Sequence, residues 1–102
     1  MNIYQEERKL KELTERLSQN PEWLSKEEIE YLHFRLRPAV IVMIEQENVQ
    51  GLEQCGKMGW ITAENIKDFV DLANKGQKPE TLNYLLDYQY RHFPREEKKF
   101  EL

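Results

Sequence analysis

One stretch of this sequence has the composition of a β-strand, and it has no partner. The run AVIVMI, residues 39–44, is apolar and rich in β-branched residues, so local propensity favours a strand. No second run of this kind occurs elsewhere in the sequence, and a lone strand leaves its backbone N–H and C=O groups unpaired. We therefore predict a buried helix here, with Pro38 at its first position, and an all-α fold.

The rest of the chain has helical periodicity with punctuation between the helices. Residues 3–18 form an amphipathic pattern, and helical spacing of apolar residues continues to residue 92, which predicts about six short helices. The boundary signals are of three kinds: capping side chains, prolines, and a glycine placed to end a helix in the left-handed conformation. These signals are the Ser25–Glu28 capping box, Asn48, Thr62, Gly76, Pro79 and Pro94.

The chain length and the net charge restrict the number of domains and the kinds of partner that we expect. A chain of 102 residues is one domain, and its 15 basic and 19 acidic residues are interleaved along the sequence, giving a net charge of −4. This balance gives no general attraction to nucleic acid or to an anionic membrane. The amino end lacks the pattern of a signal peptide, and the longest apolar run is too short to span a bilayer. With a single cysteine, Cys55, the composition is typical of a bacterial cytoplasmic protein.

The second half of the sequence contains a weak internal repeat of about thirty residues. Each copy consists of a helix, a tight turn and a second helix, as in helical solenoids. The copies align in pattern if two residues are inserted at the middle turn. The aligned pairs are Ile41 with Phe69, Val42 with Val70, Ile44 with Leu72, Leu52 with Leu82, and Cys55 with Leu85.

These two copies resemble units of the ankyrin-repeat family over residues 36–90. RPAVIVMIEQENVQGLEQCGKMGWI is similar to one unit, with Pro38 at the position of the family's helix-opening proline and Gly59 at that of its closing glycine. ITAENIKDFVDLANKGQKPETLNYLLDY is similar to a second unit. The Thr-Pro-Leu-His opening of the family is absent from both units.

The resemblance implies both an organisation and a role. We expect one domain over residues 1–102, with an amino-terminal helical cap (1–36), two ankyrin-like helix hairpins (37–92) and a charged tail (93–102). Two units alone do not bury a continuous core, so the last helix is expected to leave an open face suited to a protein partner or to a homodimer. The family's usual task implies a scaffolding or interaction module.

No pattern of residues indicates catalysis, a metal site or a cofactor. Cys55, His33 and His92 could supply a nucleophile and a base, but no orienting group or oxyanion-hole motif accompanies them. Cys55 follows Leu52 on an apolar stripe, where a cysteine behaves as a small buried side chain. The sequence also lacks paired metal-ligand spacings. We therefore predict no enzyme activity, no metal, no cofactor and no small-molecule substrate.

Two clusters of aromatic and basic residues are the candidate binding surfaces. YLHFRLR and YQYRHFPR each combine rings with cations, which suits a protein interface. The alternative is a nucleic-acid-associated regulator that stacks bases on the same rings. Trp23 and Trp60, at turns between helices, are predicted to cover the core. The candidate partner-binding residues are Tyr31, Phe34, Arg35, Tyr84, Tyr88, Arg91 and His92.

Overall fold

The structure, a computed structural model, describes residues 2–94 and consists in that range of helices and the turns between them, without a strand. This confirms the predicted all-α class, including the helical interpretation of residues 39–44. Only Phe93 and Pro94 of the predicted charged tail fall within the described residues. The elements are α1 (Ile3–Gln19), a short 3₁₀ helix (Pro21–Trp23), α2 (Lys26–Phe34), α3 (Leu36–Glu45), α4 (Val49–Lys57), α5 (Ile66–Lys75) and α6 (Pro79–His92).

Local capping chemistry explains where the first helices begin. The hydroxyl of Ser25 accepts a hydrogen bond from the N–H of Glu28 at 3.1 Å, and the Glu28 carboxylate accepts one from the N–H of Ser25 at 2.9 Å. The predicted capping box of α2 is therefore confirmed.

Helix α3 begins two residues earlier than predicted, so Pro38 lies third in the helix rather than first. A proline is tolerated there because the first-turn N–H groups have no intrahelical acceptor.

The turns that join α3 to α4 and α5 to α6 have the same backbone geometry, thirty residues apart. In each turn the middle residue is left-handed, with φ of 51° at Glu47 and 57° at Gln77. The prediction that Gly76 takes this conformation is wrong, because Gly76 is right-handed with φ of −79°. The matching backbone hydrogen bonds are Gln46 N–H to Val42 C=O, Asn48 N–H to Met43 C=O, Gly76 N–H to Leu72 C=O, and Lys78 N–H to Ala73 C=O.

This geometry corrects the alignment of the two copies. Because α3 spans residues 36–45 and α5 spans 66–75, the offset is thirty residues for the helices and for the turns after them, and no insertion occurs at the turn. The first helices therefore align two residues away from the predicted register. Ala39 then corresponds to Phe69 and Met43 to Ala73, and all four side chains are buried.

The helices pack as successive pairs. Helix α3 contacts α5 and α4 contacts α6, while α1 lies across both α3 and α4, and α2 contacts α1 and α3. One apolar core runs through these contacts, from Leu13 and Leu17 of α1 to Leu85 of α6. Trp60 is 7% exposed and covers the core as predicted, whereas the prediction for Trp23 is wrong because its side chain is 57% exposed.

The segment between α4 and α5 is a turn rather than the start of a helix. Thr62 and Asn65 bond each other reciprocally: the Asn65 side chain accepts from the Thr62 N–H at 2.8 Å, and the Thr62 hydroxyl accepts from the Asn65 N–H at 3.3 Å. Residues 63–65 form a turn, and α5 begins only at Ile66. None of the helices in residues 2–94 is both long and apolar enough to cross a bilayer.

Glu47 links the two helix pairs by capping α6 from the turn between α3 and α4. Its carboxylate accepts hydrogen bonds from the Thr81 N–H at 2.9 Å, the Thr81 hydroxyl at 3.0 Å and the Glu80 N–H at 3.3 Å. Lys78, the residue at the N-cap, supplies no side-chain bond. Burial raises the pKa of Glu47, but the bonds from Thr81 and Glu80 outweigh it and hold the pKa below its ordinary value.

We expect Glu47→Ala to lower the urea midpoint of unfolding more than Gln77→Ala does. Both residues are left-handed, so the backbone cost of alanine is matched, and only Glu47 caps α6. Because the pKa of Glu47 is depressed on folding, its contribution is present above the ordinary value of 4.5 and is lost as pH falls through the folded value. This role would be contradicted if the two substitutions lowered the urea midpoint equally. It would also be contradicted if the midpoints of Glu47→Ala and the wild type did not approach each other in acid.

Candidate partner-binding groove

An open groove of about 500 Å³ lies between α4 and α6. Two tyrosine rings and a histidine form its α6 side, and charged side chains occupy the rim. We call this surface the α4–α6 groove. Its lining residues are Glu53, Gly56, Lys57, Tyr84, Asp87, Tyr88, Arg91 and His92.

A glycine on α4 allows the tyrosine rings to approach the helix. A Cβ at Gly56 would lie 2.8 Å from Cε2 of Tyr88 and 3.1 Å from the hydroxyl oxygen of Tyr84, which is closer than van der Waals contact allows. The Tyr88 hydroxyl donates to the Gly56 carbonyl at 3.4 Å. The absence of a side chain at residue 56 therefore sets the depth of the groove.

The aromatic side chains form a continuous row along α6. The Tyr88 and His92 rings stack with centroids 4.0 Å apart, and the Tyr84 and Tyr88 centroids are 5.9 Å apart. Burial, with the nearby Tyr88 and Glu53, raises the pKa of Tyr84 to about 12. Tyr84 therefore remains a protonated hydroxyl, able to donate a hydrogen bond, throughout the neutral range.

The charges around the groove balance. Glu53 and Asp87 contribute carboxylates, while Lys57 and Arg91 contribute cations. Arg91 Nε lies 3.0 Å from Asp87 Oδ2, one turn apart on α6, and both side chains are more than half exposed. A pair so exposed adds little stability and can exchange partners easily.

The structure brings four of the seven candidate residues together. Tyr84, Tyr88, Arg91 and His92 all line the α4–α6 groove. Sequence reasoning missed the α4 side, because Glu53, Gly56 and Lys57 lie about thirty residues away in the chain. The signal that could have found them is the predicted repeat, which sets α4 and α6 at equivalent positions of the two predicted copies.

Two of the other candidate residues, Tyr31 and Arg35, contact α1 from the end of α2. Arg35 Nε donates to the Glu6 carboxylate at 2.5 Å, and the Tyr31 hydroxyl donates to the same oxygen at 3.4 Å. Lys9 Nζ lies 4.1 Å from the centroid of the Tyr31 ring. These side chains hold two helices of the same chain together. Phe34 is 83% exposed.

The residues considered for chemistry are separated or enclosed. Cys55 has no exposed surface, and burial raises the pKa of its thiol to about 12. His33 stacks on Trp60, with centroids 4.9 Å apart. Among residues 2–94, no group of three or more His, Cys, Asp and Glu side chains is arranged to hold a metal ion.

Comparison with known proteins returned no relative: no family model, no curated protein and no solved structure matches the chain. The interpretation of the groove therefore depends on its own residues.

Proposed function

We propose that this protein is a small non-catalytic interaction module, built from ankyrin-like helix pairs, that binds a protein partner in the α4–α6 groove. The observation that carries the proposal is the row of rings on α6, with Tyr84 and Tyr88 half-buried, that lines an open groove with a rim of both charges. Tyrosine and arginine are the side chains most often responsible for binding energy at protein interfaces. The single buried cysteine supports a reducing, cytoplasmic location.

The groove chemistry favours a peptide or a helix of mixed polarity. The Tyr84 and Tyr88 rings offer apolar surface with few rotamers to immobilise, so burying them costs little conformational entropy. Arg91 can pair with a partner's carboxylate, and Glu53 can pair with a partner's cation. A partner segment with an aromatic or aliphatic anchor between opposite charges is complementary to this arrangement.

The same charges disfavour nucleic acid. Binding to single strands combines stacked rings with a positively charged track for the phosphates. Glu53 and Asp87 place two carboxylates within the groove beside Lys57 and Arg91. A phosphate backbone in this groove would therefore meet repulsion as well as attraction.

We expect peptides selected from a phage-displayed random library on the wild-type protein to bind the α4–α6 groove. Synthesised as single peptides and titrated by fluorescence anisotropy, they should bind Arg91→Ala or His92→Ala on the order of tenfold more weakly. Both side chains are exposed at the end of α6, so these substitutions preserve the fold. Arg8→Ala, which removes an exposed cation from α1, is the matched control and should not change affinity.

Titration with a single-stranded nucleic acid distinguishes protein binding from the alternative function, nucleic-acid binding. Titration with an oligothymidylate should give no binding, and peptide affinity should persist as salt rises. Selected peptides that bind Arg91→Ala and His92→Ala as well as the wild type would overturn the assignment of the groove. Oligothymidylate binding that falls steeply with salt and is lost in Arg91→Ala would replace the proposal with a nucleic-acid-associated role.

A further inference from the structure

Helix α6 extends beyond the core that it helps to build. Leu85 is the last fully buried side chain of this helix. His92 follows seven residues later, nearly two turns and about 10 Å along the axis, so it lies on the same side of the helix as Leu85. His92 is nevertheless exposed. The side of α6 that faces the core is therefore open to solvent at its last turn.

A second open cleft, of about 700 Å³, lies between α5 and α6 at this end of the helix. We call it the α5–α6 cleft. Its lining includes Ala63, Ile66, Lys67, Gln89, His92 and Phe93. Ala63 and Ile66 give it an apolar wall where α5 begins, and the Phe93 ring lies on the α6 side. An aliphatic or aromatic side chain of a partner is complementary to these walls.

The α4–α6 groove and the α5–α6 cleft meet at His92, which lines both. Its ring stacks on that of Tyr88 at 4.0 Å between centroids, and its centroid lies 6.2 Å from that of Phe93. Tyr88 and Phe93 are five residues apart, about 140° around the helix, and His92 lies between them. The row of rings therefore continues from the α4–α6 groove into the α5–α6 cleft.

We propose that the groove and the cleft form one binding surface, and that a single partner segment crosses His92 with an Asp or Glu side chain at Lys67. This inference rests on the proposed function, because the segment is the one that occupies the α4–α6 groove. Its apolar anchor contacts the rings of α6, and its acidic end lies over the start of α5.

The charges on the two sides of His92 specify this orientation. The α4–α6 groove carries two carboxylates and two cations. Lys67 is the one permanent charge that the described residues contribute to the α5–α6 cleft. None of the carboxylates in residues 2–94 forms a salt bridge with Lys67, whereas Arg91 pairs with Asp87. A partner's carboxylate at Lys67 therefore meets an opposite charge without an intramolecular competitor.

The first test uses the phage-selected peptides, synthesised with amidated carboxy termini so that only side chains supply carboxylates. We expect Lys67→Glu to weaken their binding on the order of tenfold in fluorescence anisotropy. Lys75→Glu is the matched control, since it reverses the charge of an exposed lysine at the other end of α5, and it should not change affinity. Circular dichroism establishes that both variants remain folded.

A charge exchange between protein and peptide tests the contact itself. Each acidic residue of a selected peptide is replaced in turn by lysine, and the peptides are titrated against the wild type and Lys67→Glu. We expect one replacement to weaken binding to the wild type and to restore binding to Lys67→Glu. Equal recovery from every replacement would indicate a general effect of charge and would overturn the contact with Lys67.

The outcomes separate this inference from the proposed function. Peptides that bind Arg91→Ala weakly but bind Lys67→Glu as well as the wild type overturn the inference and leave the proposed function intact. Peptides that are weakened by Lys67→Glu and not by Arg91→Ala overturn both, because such a ligand is confined to the α5–α6 cleft. Equal weakening by Lys67→Glu and Lys75→Glu overturns the inference alone.

Discussion

Replacing Phe69 by alanine is expected to remove about 3–5 kcal/mol from the free energy of unfolding. Phe69 is the largest of the fully buried side chains, at 2% exposed, and it lies on α5 in the core between the two helix pairs. The residue at the equivalent position of α3 is Ala39, and Ala73 of α5 corresponds to Met43. Large and small side chains are therefore exchanged between the two helix pairs, and the side chain one turn beyond Phe69 on α5, that of Ala73, is too small to fill the space.

The loss is measurable by urea denaturation at neutral pH. A domain of this size has a total stability of about 5–15 kcal/mol, so the Phe69→Ala variant should unfold at a much lower denaturant concentration. Phe34→Ala removes the same side chain from an exposed position and should change stability by less than about 0.5 kcal/mol. A loss below about 1 kcal/mol for Phe69→Ala would mean that the core between the pairs is not packed as described.

Much of the fold could be predicted because the signals are local. A capping box at Ser25 and Glu28 needs only four consecutive residues, and the cap at Asn48 is confirmed by its bond from the Gly51 N–H at 2.9 Å. The single apolar run at residues 39–44 also indicated a helix, since a strand without a partner leaves its backbone N–H and C=O groups without hydrogen bonds. These arguments require no knowledge of tertiary structure.

The register between the two helix pairs could not be predicted because it depends on the turns. Glycine is the default left-handed residue, so Gly76 was the natural choice. The structure uses Glu47 and Gln77 instead. At Glu47 the tertiary bonds to Thr81 and Glu80 stabilise a conformation that local propensity disfavours. The two-residue error in aligning α3 with α5 follows from not seeing that both turns are alike.

The candidate site was predictable to the extent that it lies on one helix. Tyr84, Tyr88, Arg91 and His92 are spaced so that α6 alone brings them together. Tyr31 and Arg35 show the opposite case, because their role depends on Glu6, which is 25 and 29 residues away. Sequence cannot show which of two similar clusters has a carboxylate of its own chain against it.

Raising the pH from about 8 to about 10.5 is expected to destabilise the wild type by about 2 kcal/mol through Cys55 alone. Burial raises the pKa of the Cys55 thiol from 9.0 to about 12. Below pH 9 both the folded and the unfolded chain carry the neutral thiol, so ionisation of Cys55 does not lower the free energy of unfolding there. Between pH 9 and 12 only the unfolded chain ionises, which favours unfolding by about 1.4 kcal/mol for each pH unit.

The comparison with Cys55→Ala isolates this effect, because every other group that titrates in alkali is present in both proteins. Tyr84, whose pKa is raised to about 12, is the nearest such group and can be removed from both proteins by Tyr84→Phe. The stability difference between wild type and Cys55→Ala should narrow as pH rises.

At about pH 8, a thiol reagent should modify Cys55 only as fast as the chain unfolds, since the reactive thiolate is suppressed by the same burial. Rapid modification of the folded protein would show that α4 opens locally, and a pH-independent stability difference would show that burial does not raise the pKa of Cys55.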